Sequence, residues 1–244
     1  MSVFAHNAGR PRNGVLSALS ADAFAVIEQD LEPVDLPFRF RLQETNRLIK
    51  HVYFPESGLA SVVAISGRDR RQAEVGMIGS EGLAGMAAIL EAGRAPCEVF
   101  MQIEGKGHRI EVGKLGAAID GNREVRRTLL QAVHVFQVQT RFNALANAQG
   151  KIEERLARWL LMAQDRVPAG TLEMTHECLA LMLGVRRAGV TVAMNQLETR
   201  GLVEAARGAV TITDREGLEE LANGLYGPPE AEFERLFVPT GLPH

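Results

Sequence analysis

From Thr175 to Val203 the chain reads THECLALMLGVRRAGVTVAMNQLETRGLV, followed by an Arg207-Gly208 turn. The spacing predicts two helices joined by a sharp turn, then a β-hairpin wing. Closely crossing helices need a small residue inside the first, here Ala180, and the turn needs a residue tolerant of positive φ, here Gly184. The β-branched Val190 anchors the second helix, while Leu179, Leu183 and Val185 fill the space between the two. Thr175 is a start signal, since its hydroxyl can accept from a free N–H of the first turn. The second helix opens with Arg186 and Arg187, residues that reach base edges and phosphates when such a helix lies in the DNA major groove. The stretch therefore points to a helix-turn-helix that binds double-stranded DNA.

The 244 residues suffice for two modest domains, and 46% hydrophobic with 23% charged residues is ordinary for a globular protein. A formal net charge of -3 does not advertise a nucleic-acid binder, so any basic surface has to be local. Cys97 and Cys178 stand far apart, which argues against a disulfide framework or a cysteine cluster. No apolar run approaches the ~20 residues that span a bilayer, and no leader pattern is visible. The expectation is a cytoplasmic protein without a membrane partner.

Residues 1 to 14, with Gly9, Pro11 and Gly14, read as a mobile lead-in. Leu16, Leu19, Phe24, Ile27 and Leu31 then recur at helical intervals, with Ser20 as a cap, and predict one or two short helices. Between Leu36 and about Val112 the runs HVYFP, LASVVAI, EVGMIG, CEVFMQI and HRIEV predict short strands in a sandwich or barrel-like roll. Past Asp120 the pattern is helical. Leu129, Ala132, Val133, Phe136 and Thr140 form one stripe, and Leu130, His134, Val138, Phe142 and Leu145 another. Two apolar faces need two partners, which favours a homodimer over a helix wholly buried within one monomer. We assign Leu129, Val133, Phe136 and Thr140 to its seam. Ile152, Leu156, Trp159, Leu160 and Met162 make a further amphipathic helix ending before Pro168 and Gly170. In the tail, Phe233, Leu236 and Phe237 either dock on the body or stay mobile.

This order of parts resembles the Crp/Fnr family of bacterial transcription regulators, most specifically in RLARWLLMAQDR (Arg155 to Arg166) and in the helix-turn-helix. The resemblance implies an α+β fold with a cyclic-nucleotide-binding-like β-roll over residues 15–120 and a dimerisation helix over 121–148. A winged helix-turn-helix over 149–227 and a tail over 228–244 complete it. It also implies a non-enzymatic regulator whose partners are double-stranded DNA, a second copy of the chain and RNA polymerase, with the effector unknown. The expected DNA contacts are Thr175, His176, Arg186, Arg187, Gly189, Thr191, Asn195 and Arg207. Where relatives of the cyclic-AMP receptor protein often carry Arg-Glu, this chain has Arg187-Ala188, so the acceptor that reads cytosine is missing. Gly189, about 1 kcal/mol worse than Ala inside a helix, is expected to mark close approach to DNA.

In Gly85 to Val99, GMAAILEAGRAPCEV, Met86 stands where the family's phosphate cassette has its ribose-binding Glu. Pro96 falls near the position of the phosphate-binding Arg, and Arg94 would serve only in a shifted register. An anionic cyclic phosphate without a guanidinium loses its main charge-assisted bonds, so cyclic AMP is not the expected signal. The GSEGLAG run (Gly79 to Gly85) lacks a basic residue and reads as a strand-connecting turn. Two cysteines fall short of an iron-sulfur ligand set. His51, His108 and His134 are the nominal haem ligands but read as structural residues, and no basic neighbour in sequence activates Cys97. No cofactor or metal is expected. The rival readings are a family member that no longer binds DNA, and a β-roll metabolite-binding protein or enzyme. The scattered histidines, with no HxH pair, disfavour metal catalysis.

Overall fold

The computed structural model describes residues 10–67, 71–167 and 170–238. The chain enters through α1 (Gly14–Ser17) and α2 (Ala21–Glu28). The residues before them that lie within the described range are built into the body, contrary to the expectation of a mobile lead-in. Asn13 is fully buried, and its amide donates to Pro55 O and Gly82 O at 2.8 and 2.7 Å while its Oδ1 accepts from Val15 N and Leu16 N. A polar side chain is tolerated there because its hydrogen-bonding capacity is used. Ser20 caps α2 as expected, accepting from Ala23 N at 3.2 Å.

The β-rich half comprises β1 (Glu32–Leu36), β2 (Arg41–Gln43), β3 (His51–Pro55), β4 (Leu59–Ile65), β5 (Gln72–Ile78), the short helix α3 (Met86–Ile89), β6 (Cys97–Ile103) and β7 (Gly105–Glu111). Among the described residues these strands form an antiparallel sheet in the order β2-β6-β4-β5 and another in the order β1-β7-β3. The β-branched and aromatic runs of β3 and β4 place Val52, Phe54, Leu59, Ala60 and Val63 inside, the surface such side chains pack best. GSEGLAG links β5 to α3 and is a turn as expected. The basic residue that it lacks in sequence arrives from elsewhere, as described below.

The helix α4 (Val112–Gly121) leads into the long α5 (Arg123–Gln149). Asn122 caps α5 by accepting from Glu124 N and Val125 N, and Glu124 in turn accepts from Ser20 N and Oγ at 2.7 Å. The caps of α2 and α5 are thereby tied together. One stripe of α5, with Val125, Leu129, Ala132 and Val133 buried, packs on the β-roll. The approach is close at Gly76, where a Cβ would meet the Phe136 ring at 2.7 Å and Gln139 Oε1 at 2.8 Å. Gln139 exchanges two bonds with the backbone of Met77. Leu129 and Val133 are therefore consumed within their own protomer, and Phe136 lies over Gly76. The assignment of Leu129 and Val133 to a dimer seam is corrected, because a buried side chain has no surface left for a partner, while Phe136 and Thr140 are half-buried. The outward stripe carries Leu130 and Leu145 at 43% and 45% exposure.

The C-terminal half contains α6 (Ile152–Arg166), β8 (Thr171–Leu172), α7 (His176–Leu183), α8 (Arg187–Thr199), β9 (Val203–Ala206), β10 (Ala209–Ile212), α9 (Arg215–Leu221) and α10 (Pro228–Phe237). Pro168, half of the expected break after α6, lies outside the described residues. The tail docks through α10. Phe233 is buried, stacks on Phe237 with centroids 4.9 Å apart and reaches Gly14, while Glu232 bonds His134 of α5 at 2.8 Å. No described helix is long and apolar enough to cross a membrane.

The two halves share one core, in which Leu59 and Met77 of the β-roll join Trp159, Leu160, Met162, Met182 and Leu183. Charged groups are sunk into this junction. Glu74 of β5 is buried and accepts from Ser61 Oγ at 2.6 Å and from Trp159 Nε1 at 2.8 Å. Desolvation raises its carboxyl to about 7 against those bonds. Arg166, the last residue of α6, donates to Glu81 of the GSEGLAG turn at 2.7 Å and to Met162 O at 2.7 Å. This is the cation missing from the turn's own sequence.

Candidate nucleic-acid interface

The recognition surface starts from the cap of α7. Thr175 Oγ1 accepts from Cys178 N at 3.2 Å, satisfying one of the free N–H groups of the first turn. α7 ends at Gly184, whose φ of 63° and ψ of 34° are left-handed, and its N–H donates to Leu181 O. Ala180 and Val190 are buried where the helices cross, with Leu179, Leu183 and Leu197 around them, and Val185 packs against this core. The Arg155 guanidinium donates to Leu183 O, which fastens the turn to α6.

Arg186 stands at the start of α8 without a capping side-chain bond, and Arg187 opens the helix. Both are exposed, and Arg187 is 70% exposed with Glu177 at 3.8 Å as a loose partner. A pair this open and this long holds the guanidinium weakly. Down the free face of α8 follow Ala188, Val192, Asn195 and Thr199, all exposed and spaced by three or four residues. Val192, at 59% exposure, is the apolar centre of this face. Sequence reasoning missed it, although its offset of four from Ala188 was there to be used. Arg200 adds a further exposed cation at the far end.

Three expected contacts sit differently. His176 Nδ1 and Thr191 Oγ1 lie 3.1 Å apart and bond each other, with Thr191 also donating to Arg187 O, so they clasp α7 to α8. Gly189 faces inward, where a Cβ would meet Ile152 Cδ1 at 3.2 Å. The expectation that it marks approach to DNA is corrected, because α6 occupies that side. The wing forms a sheet in the order β8-β10-β9. Glu198 of α8 accepts from Ala205 N at 3.1 Å and sets its angle, leaving Arg207 exposed at the tip.

The remaining chemistry is quiet. Burial pushes the Cys178 thiol up to about 12 and the Cys97 thiol upward as well, which opposes thiolate formation. No group of three or more His, Cys, Asp or Glu able to hold a metal occurs among the described residues. Met86 opens α3, and Arg94 is exposed with its guanidinium donating to Asn46 O.

Residues 154–221 match the family model of the Crp-like helix-turn-helix domain. No curated protein sequence matches the chain. Among solved structures, a protein of the Crp/Fnr family from Eubacterium rectale superposes with a TM-score of 0.68 at 16% identity, over 86% of this chain and 98% of the other. FixK2 from Bradyrhizobium japonicum gives 0.67 at 18% identity, over 78% and 96%. The c-di-GMP responsive regulator CLP from Xanthomonas campestris gives 0.65 at 18% identity, over 79% and 99%. Residues 154–221 are therefore a Crp-like helix-turn-helix domain, set in a chain with the fold of the Crp/Fnr transcription regulators.

Proposed function

We propose that the protein regulates transcription by binding a two-fold symmetric DNA site as a homodimer, with α8 in the major groove. The observation that carries this reading is the free face of α8, opened by two exposed arginines and continued by Val192 and Asn195. Arg187 suits guanine, and Val192 offers an apolar surface of the kind that meets a thymine methyl. Arg186, Arg200 and Arg207 suit phosphates, which orient the domain without specifying sequence. His176 and Thr191 act by holding the two helices together.

The outward stripe of α5, with Leu130, Val138, Phe142 and Leu145, is the proposed seam. Pairing it would set two α8 helices on successive major grooves about 34 Å apart. Control by cyclic AMP is not part of the proposal, since Met86 cannot hold a ribose hydroxyl and the Arg94 guanidinium bonds Asn46 O.

The test is selection of bound sequences from a random duplex pool, followed by titration of the enriched site at two salt concentrations. A symmetric site with half-sites one helical turn apart, lost on Leu130→Glu with Leu145→Glu, is the expected result. Weak binding without enrichment would reject the reading in favour of a protein that no longer reads DNA.

A further inference from the structure

The first turns of α5 carry charge of the wrong sign for a helix start. Of its 27 residues four are arginines and one, Glu124, is acidic. Arg123, Arg126 and Arg127 stand at the positive end of the helix dipole, where cations are disfavoured. Glu124 does little to offset them, because Ser20 N and Oγ already donate to both of its oxygens. The three arginines line a groove of about 420 Å³ between α5 and α10, together with Leu130, His134 and Arg235, a volume within the range of small-molecule sites. The carboxylates beside these cations are engaged: Asp120 pairs with Arg126 at 2.9 Å, and Glu232 with Arg235 and His134 at 2.8 Å each. The guanidiniums of Arg123 and Arg127 are exposed and, among the described residues, have neither a hydrogen bond nor an ion pair. In a chain with a formal net charge of -3 this is a local concentration of positive charge.

Arg127 and Arg123 precede Leu130 by three and seven residues, so they continue the outward stripe of α5 towards its start. We infer that a polyphosphate anion, free or carried by a nucleoside, binds at this end of the seam between two copies of the chain, accepting from Arg123 and Arg127 of each. The inference rests on the homodimer proposed above. When two such helices run side by side in the same direction, each seam residue meets its own counterpart. The free guanidiniums of both copies then gather where the neighbouring carboxylates are engaged, and like charges so placed repel. A single chloride leaves most of that charge unbalanced, whereas a polyphosphate chain brings several negative charges on one small ion. Its oxygens also match the forked donors of a guanidinium. Pairing of α5 therefore depends on the anion as well as on Leu130, Val138, Phe142 and Leu145.

The experiment is sedimentation velocity of the full chain, without DNA, over a dilution series in sodium chloride, sodium tripolyphosphate or ATP at matched ionic strength, so that general screening is equal. Tripolyphosphate should tighten dimerisation about tenfold over chloride. Whether it or ATP acts at the lower concentration tells the free anion from the nucleoside-borne one. Arg123→Gln with Arg127→Gln should dimerise in chloride as tightly as the wild type does in tripolyphosphate, and should no longer respond to the anion. Arginines with a merely structural role would instead weaken the dimer in every buffer when replaced. A wild-type dimer indifferent to both anions, yet broken by Leu130→Glu with Leu145→Glu, overturns this inference and leaves the homodimer standing. A full response in the double arginine variant overturns it as well, by placing the anion elsewhere. A monomer under all conditions removes the inference and the homodimer together.

Discussion

The recognition face and the junction between the halves use the same residue in opposite surroundings. Arg187 is 70% exposed with its acid partner at 3.8 Å, whereas Arg166 is 6% exposed and grips Glu81 at 2.7 Å. The first guanidinium is hydrated, loosely held and available to a new partner. The second has lost its water and depends on one carboxylate and one carbonyl. Exposed charge is thus left free, while buried charge fixes how the β-roll sits against the C-terminal half.

Substitutions on the two sides should separate them by both size and kind of effect. Arg166→Met strands Glu81 and should cost about 3–5 kcal/mol of stability, measured by urea unfolding. Arg166→Met with Glu81→Leu should recover much of that loss. If the single variant unfolds like the wild type, the junction does not depend on this pair.

Glu74 comes next. Its folded carboxyl is raised from 4.5 to about 7, so between those values the folded state binds more protons than the unfolded one. Its contribution to stability is fully present below about pH 4.5 and is lost as pH rises to about 7. At ~1.4 kcal/mol per unit this is on the order of 3 kcal/mol. Glu74→Gln should flatten that part of the stability profile, and an unchanged slope would remove Glu74 as its source.

On the recognition side the folded state should hardly notice. Arg187→Ala should leave urea unfolding unchanged while costing roughly 1–3 kcal/mol of binding to the selected site and relaxing one base pair. A stability loss instead would erase the contrast with Arg166. Arg207→Ala is the mildest change, expected to weaken all duplexes alike and to reduce the salt slope of binding by about 1. Selective loss at one sequence would make Arg207 a base reader.

The helix-turn-helix was legible because its constraints are local. Thr175, Gly184 and Val190 act at fixed offsets, and each offset is visible in a single sequence. The strands of the β-roll were legible from their short apolar runs, although β1, with Pro33 and Asp35, and β2, three residues long, gave no such run. Periodicity revealed both stripes of α5 but could not tell which one faces its own β-roll, since both are apolar; Gly76 makes the choice by admitting Phe136. The junction was not legible, because Arg166 and Glu81, like Trp159 and Glu74, meet only through tertiary packing. Gly189 misled for a related reason: a helix-weakening residue shows that something lies close, not whether it is DNA or Ile152.

Phe233 of α10 lies against Gly14, joining segments separated by almost the whole described chain. During synthesis such a contact closes only after the β-roll, α5 and the winged domain have all emerged. The early helices must therefore wait with part of their apolar surface uncovered. A nascent chain halted before α10 would carry a finished helix-turn-helix on a body whose last helix has yet to dock.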